Sequence, residues 1–499
     1  MLFKYIKFFS IFVFILNIAG PALANERTHV AGAPYYWQEK KDNDFGVKFN
    51  FGFNYENYYS SINKEYQGDG NLRVVKDLAY TKSTYSLDLG AEFGFKGIGF
   101  YFNLPLILSS SSIFRFQDGN NYPGYTDQQD CLDQHTSDPW KCHPDGVNAN
   151  NSRTVVENLH QGLGFSDNPA PGEASTRTLF KGPNRNGIDQ LHLGFRINVP
   201  VFNNFTDSTK PFWVIALDIG LPVGKVKDFK RASDGAPLCS GGSRCSDPDD
   251  FTEVTPRPEL NNAVGRGIYD ITISSIMSSR TSIFSNFFKL YATLPFAYSN
   301  DSLYRSDYYF SQWGMNSPKA PIKAGIIFGS DINVYNNLKK KIRVNLFLKG
   351  VFKAVFQGQD YSEGYELFAG NPMLNLGCNS NNSPYENSLC SDPDIRSNIN
   401  YFPGLTTVEN YSILGAQLGV NMRISRYFFF QLAYGLRHNT EHFITYGDAG
   451  DDKNNSGNVE LETKEANPYY RPIIDQVGHR YRVQESLIHT LFLSFKFIY

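Results

Sequence analysis

From Phe45 to Tyr55 every second residue is apolar. Phe45, Val47, Phe49, Phe51, Phe53 and Tyr55 alternate with Gly46, Lys48, Asn50, Gly52 and Asn54. A helix would scatter these aromatics around its circumference, whereas a period of two places them on one face of an extended strand. The run is about eleven residues long, the length a tilted strand needs to cross a hydrocarbon layer. A soluble sheet could also bury an aromatic face, but its other face would not need so much Gly and Asn.

The same alternation recurs along the chain. It predicts strands over 85–95, 98–108, 191–201, 212–222, 268–280, 287–296, 323–335, 342–356, 414–425, 427–438 and 487–499. With the first, the count is about twelve, an even number as single-chain bacterial barrels have. Ten or fourteen remain open, because Leu72–Tyr80 has room for another short strand. Lys96-Gly97 and Ser425-Arg426 are tight turns, and 203–210, 281–286 and 336–341 are short. The alternate connections, 58–82, 109–189, 223–267, 297–320, 357–410 and 439–486, are long and polar. A sandwich or a propeller has no reason to segregate loop length in this way, but a membrane barrel does. Mean hydropathy is only -0.37. The 41 Phe and 31 Tyr against 4 Trp suit strands with one apolar face.

The last strand reads LFLSFKFIY, with Leu491, Leu493, Phe495, Phe497 and Tyr499 on one face and the chain ending on the aromatic. This resembles the C-terminal signature of Gram-negative outer-membrane β-barrels of the broad porin-like class. The resemblance implies that Phe495, Phe497 and Tyr499 are read by the barrel assembly machinery as an insertion signal. It also implies outer-membrane lipid and lipopolysaccharide as surroundings. The expected fold is all-β, an antiparallel up-and-down transmembrane β-barrel. Lys4 and Lys7, the apolar stretch Phe8–Ile18 and the Ala22-Leu23-Ala24 box read as a signal peptide over 1–24. A short periplasmic segment is expected over 25–44, and the barrel with its extracellular loops over 45–499. Leu-Pro pairs ending at Pro105, Pro222 and Pro295 are expected near outer strand ends, where proline's missing donor is tolerated.

Fixing the apolar face outward turns a basic set inward. Lys48, Arg196, Arg343, Lys349, Arg423 and Arg437 are expected to line the lumen, alongside fewer acids such as Glu92 and Asp218. Charges facing lipid cost roughly 2–4 kcal/mol each at the midplane, so a register slip is heavily penalised. A basic lumen favours a passive channel or transporter for small solutes, weakly preferring anions. The alternative is a surface adhesin, receptor or structural envelope protein acting through its large loops. No enzyme is expected. His438 and His489 fall on the lipid face near strand ends with no serine beside them, only Thr440 just beyond. No cofactor or metal is expected, since zinc spacings and nucleotide fingerprints are missing and the acidic 448–465 run lacks a calcium loop's closing Glu. The basic patch at 478–482 is read as a face for anionic groups or an ordinary loop junction. A net charge of -2 argues against nucleic acid as a partner.

Six cysteines in an exported chain point to disulfides. Each loop that contains cysteine contains one sequence-local pair: Cys131–Cys142, Cys239–Cys245 and Cys378–Cys390. Each pair borders a Ser-Asp-Pro turn, and Asp-Pro favours a compact reversal. Closing a loop near ten residues contributes roughly 2.5–3 kcal/mol of local order. Non-reducing peptide mapping should return three local bridges. A peptide joining two different loops, or an alkylatable thiol in the mature protein, would reject this pairing.

Overall fold

The computed structural model describes residues 45–68, 71–95, 98–116, 178–199, 212–227, 262–281, 283–297, 319–337, 341–369, 374, 404–425, 427–450, 452, 454–457, 467 and 470–498. The signal segment, residues 25–44, all six cysteines and Tyr499 lie outside them, and with them those expectations.

Twelve strands form the wall: β1 (Phe45–Gly68), β2 (Asn71–Phe95), β3 (Ile98–Phe116), β4 (Leu191–Asn198), β5 (Phe212–Leu221), β6 (Ile268–Thr281), β7 (Phe284–Ala297), β8 (Lys323–Asn337), β9 (Ile342–Val355), β10 (Tyr411–Ile424), β11 (Phe428–Asn439) and β12 (Tyr481–Ile498). Each pairs antiparallel with the next in chain order, and β12 returns to β1 over Lys48↔Ile498 to Lys64↔Tyr481. The barrel is therefore closed and up-and-down, as the alternation requires. Closure leaves no unpaired ladder edge for lipid to face. Both ends of the wall meet at the short-turn side, where Lys48 stands opposite Ile498.

The pleat sorts the side chains as expected. Phe49, Phe51, Phe100, Leu217, Phe328, Leu348, Leu418 and Leu491 are among the exposed apolar residues of the outer band. Lys48, Asp88, Glu92, Arg196, Asp218, Asp331, Lys349 and Lys496 are buried on the inner face. On the lipid side of the seam, Phe497 meets Phe51 edge-on at 6.2 Å and Phe428 at 5.4 Å. Phe495 packs on Phe430 at 5.5 Å. On the lumen side, buried Ser494 Oγ donates to Asn50 Oδ1 at 2.9 Å.

Glycines on the inner face admit rings from the neighbouring strand. A methyl group on Gly325 would lie 2.7 Å from the Tyr291 ring, and one on Gly329 or Gly419 would lie 2.6 Å from Phe287 or Phe347. Gly194 likewise lies beneath Tyr101, with only 1.9 Å available to a side chain. These rings lie across the strand beside them and fill the lumen wall.

Three expectations are corrected. The stretch 58–82 is not a loop. β1 and β2 stay paired to Gly68↔Asn71, so only residues 69 and 70 connect them, and Leu72–Tyr80 belongs to β2. The ladder shifts register at Ser60/Ser61 against β12 and at Ile62/Asn63 against β2, and pairing continues on both sides beyond them, with the local kink and twist that bulges provide. Once the hairpin leaves lipid both faces can be polar, so the alternation fades while the ladder continues. β3 likewise runs on to Phe116, where the short strands Thr178–Lys181 and Arg185–Ile188 pair with it. Pro105 is therefore not at a strand end. It sits at the break between Asn103↔His192 of β4 and Leu106↔Ile188 of the short strand, a gap where a missing donor costs little.

The described parts of the long connections fold over the mouth. Gly358–Asp360 pairs with Thr406–Val408, and the one-turn helix α1 (Tyr365–Phe368) follows the first of these. A second turn, α2 (Pro472–Asp475), precedes β12. Leu367, Phe368, Leu374, Ile444 and Ile474 pack with Tyr58, Ile62, Leu78, Tyr80, Phe114 and Tyr481 of the rising strands as one buried apolar cluster. Burying a side chain such as Phe368 contributes roughly 1.5–3 kcal/mol.

Replacing Gly329 or Gly419 by Ala should destabilise the refolded barrel by roughly 1–3 kcal/mol, because ring and backbone must both shift. Gly435→Ala is the control, since its nearest contact would be an ordinary 3.5 Å, and should stay within about 0.5 kcal/mol. Urea unfolding in detergent measures both; equal effects at all three glycines would contradict the packing argument.

Candidate functional site

The lumen is layered. At its lower end Lys48 Nζ and Arg196 Nη1 bind opposite oxygens of Glu92 at 3.3 and 3.1 Å. The Arg196 guanidinium stacks over Tyr101 at 4.6 Å. Tyr101 donates to Asp218 Oδ2 at 2.8 Å, and His192 Nδ1 meets Asp218 Oδ1 at 2.8 Å. The network runs from β1 to β5, so each buried charge has a partner on a neighbouring strand, the condition on which charges are tolerated away from water. Beside it, Phe347, Ala433 and Phe492 form a small apolar cluster.

Above this floor opens a polar cavity of about 520 Å³. Nine basic and five acidic side chains line it, so the expected basic excess is present. The six basic residues read from the alternation divide into three groups. Lys349 and Arg437 line the cavity, and Arg437 is paired with Glu56. Lys48 and Arg196 belong to the floor. Arg343 and Arg423 face each other in register near the short-turn end, and Arg423 turns its Nε to Ser425 O at 3.1 Å; neither lines the cavity. Lys82, Arg185, Lys227 and Arg266 were not anticipated. All four come from stretches read as connections, where no alternation assigns an inward face.

The inserted segment 358–369 roofs this cavity. Arg185 grips Glu366 with two bonds, Nε to Oε1 at 2.6 Å and Nη2 to Oε2 at 2.7 Å, and its Nη1 donates to Ala263 O at 3.0 Å. Lys227 Nζ lies 3.2 Å from Glu366 Oε1 and sits 3.9 Å from the centre of the Tyr365 ring. Burial opposes ionisation of Glu366, but Lys227 and Arg185 outweigh it and hold the carboxyl at about 2. Burial also pushes Lys227 down to about 7, against the pull of Glu366. A bidentate guanidinium keeps its charge under these conditions, so Arg185 is the constant partner and Lys227 the variable one. On the same segment Glu363 accepts from Tyr58 Oη at 2.6 Å, tying it to β1 as well. A smaller pocket of about 160 Å³ lies under the segment among Tyr58, Tyr80, Tyr361, Tyr365 and Tyr411.

Outside the lumen, Ser83, Asn57 and His489 stand in one cross-strand row on β2, β1 and β12. The expectation that no serine shares the histidine's level is thereby corrected, because it took Ser83's neighbours for loop. Ser83 Oγ reaches Asn57 Oδ1 at 3.3 Å, while His489 Nδ1 pairs with Tyr434 Oη at 2.6 Å. Asparagine thus separates serine from histidine, and the base is held by a tyrosine. His438 Nδ1 meets Ser486 O at 2.7 Å. In the patch at 478–482, Arg480 is bound to Glu65 at 2.7 Å and Arg482 to Glu441 at 2.8 Å. Asp452 accepts the N–H groups of Ser456 and Gly457 at 3.0 and 2.8 Å, as a turn residue does.

No family model matches the chain, and no curated protein does. Among solved structures it is similar to an outer membrane channel from Pseudomonas putida F1, at 9% identity over 90% of this chain and 95% of that one, with a TM-score of 0.35. A Pseudomonas aeruginosa FadL homologue aligns at 7% identity over 91% and 90%, TM-score 0.30. The outer membrane protease OmpT of Escherichia coli aligns at 6% over 92% and 98%, TM-score 0.25. The functional reading therefore rests on the barrel's own geometry.

A depressed carboxyl stabilises the folded segment above its ordinary value and loses that contribution as pH falls. The window for Glu366 runs from about 4.5 down to about 2, and the effect is on the order of 3 kcal/mol. Hydrogen-exchange protection at the Leu367 and Phe368 amides should fall across that window while the wall strands stay protected. Glu366→Gln should already lower it at neutral pH; unchanged protection in both experiments would detach the segment's order from this carboxylate.

Proposed function

We propose that this chain is an integral outer-membrane barrel that passes small solutes, anions in preference to cations, through a lumen gated at its outer mouth. The observation that carries this reading is the cavity lined by nine basic and five acidic side chains inside a closed wall. Inward basic groups raise the local concentration of anions, as rings of such side chains do in anion pores. The apolar outer band supports a membrane setting, and the direction of the short turns supports a periplasmic lower end. Phe497, exposed on the outer face beside the terminal seam, half-buried Phe495 on the same face and the terminal Tyr499 are the residues we propose the assembly machinery reads. Segment 358–369 is the proposed gate, because side-chain contacts, the Glu366 ion pairs and the packing of Leu367 and Phe368, rather than a continuous ladder hold α1 to the wall. The rival reading, a surface adhesin, receptor or structural protein, draws on the apolar cluster that organises the outer connections.

Planar-bilayer recording on refolded protein tests the proposal. The expected outcome is a reversal potential favouring chloride over potassium, with Glu366→Gln open for a several-fold larger fraction of time. Clear cation selectivity would overturn the preference. Silence from both the natural chain and Glu366→Gln would reject the channel and leave the surface role.

A further inference from the structure

Charge is unevenly spread among the strands that line the cavity: some contribute acids and bases together, others bases alone, and the latter also carry an apolar surface. Every carboxylate lining it comes from β1, β5, β6, the turn before β4 or the roofing segment. The lining residues of β7 through β11 are different: Lys289, Lys323, Lys349, Lys353 and Arg437 are there, without a carboxylate. On three of these strands the register interleaves lysine with apolar side chains. Gly325 of β8 stands between Tyr291 and Lys353, Ile327 between Lys289 and Val351, and Gly329 between Phe287 and Lys349. Phe287, Tyr291, Ile327 and Val351 form one buried apolar cluster, of which Tyr291, Ile327 and Val351 also reach the cavity. The glycines let the Phe287 and Tyr291 rings pack close against β8, and Tyr291 faces the cavity. Lys289 itself lies 5.4 Å from the Tyr291 ring, bringing ammonium and aromatic surface together.

A wall built for water and simple ions would not need the apolar patch, and a merely packed wall would not need three lysines around it. We infer that the β7–β9 wall is a binding site for a small amphiphilic organic anion. Its carboxylate or similar acid group would lie among Lys289, Lys349 and Lys353, and its aromatic or short acyl body would lie on Tyr291, Ile327 and Val351. A volume of about 520 Å³ is within the range of small-molecule sites, roughly 300–1,000 Å³. The inference rests on the proposed reading that solutes enter this lumen.

Calorimetric titration of the full-length barrel refolded in detergent, against a detergent-only blank, tests it with three probes. Phenylacetate has head and body, acetate only the head, and 2-phenylethanol only the body. Saturable one-to-one binding of phenylacetate, at least tenfold tighter than either control, is expected. The Lys349→Gln/Lys353→Gln double variant should weaken it at least tenfold, with folding checked by heat-modifiable mobility. If that variant does not fold, the ligand series on the natural chain decides alone. Equal binding of acetate would reduce the wall to a charge site, equal binding of 2-phenylethanol to a greasy one, and either would overturn the inference, as would no saturable binding or full affinity in the folded variant. Conductance recorded on the same preparation separates the two claims. An anion-selective channel indifferent to phenylacetate keeps the pore and loses the site, whereas a silent barrel that binds phenylacetate keeps the site and loses the pore.

Discussion

Everything in this molecule follows from the pairing of β12 with β1. In hydrocarbon, an unpaired N–H or C=O has no water to turn to and costs several kcal/mol. Twelve strands in a row would leave two such edges; the seventeen paired positions between β1 and β12 remove them. Once the ring is shut, the period of two leaves each side chain only lipid or lumen. Exposed aromatics take the first, and Lys48, Asp88, Glu92, Arg196, Asp218, Asp331, Lys349 and Lys496 are driven into the second.

That sorting creates a problem inside. A narrow lumen crowded with lysine and arginine repels itself unless charge is paired or hydrated. The lower layer uses pairing: Glu92 is shared by Lys48 and Arg196, and Asp218 by Tyr101 and His192. The upper layer leaves room for solvent and lets the connections bring in counter-charge, with Glu366 reaching Arg185 and Asp360 joining the cavity lining. The connections are thus part of the interior's electrostatics as well as its cover.

The wall was legible in the sequence because lipid enforces a rule that each strand must obey separately. Twelve strands, their faces and the inward direction of Lys349 and Arg437 could be read from period alone. Legibility stopped where lipid stops. Lys64, Glu65 and Asp77 lie on strands but obey no alternation, so a hairpin looked like a loop and Ser83 lost its row. The roof was illegible for another reason. Leu367 and Phe368 are a short apolar pair in a polar stretch, and only their contact with β1, β2 and β3 tells a roof from a surface turn. Arg185 and Lys227 owe their position to that roof, and no local pattern marks them.

The rings that lie across glycines all lean the same way round the barrel. Tyr101 of β3 covers Gly194 of β4, Phe287 and Tyr291 of β7 cover Gly329 and Gly325 of β8, and Phe347 of β9 covers Gly419 of β10. Each ring acts as a pawl in the adjoining strand. Shearing one strand past the next by a single step of two residues would drive the ring onto a side chain instead of a bare backbone. The cylinder therefore resists torsion and dilation in the arcs where these teeth engage. Under the proposed reading, the breathing that admits a solute falls to the roof, and the wall is the rigid frame on which that roof is mounted.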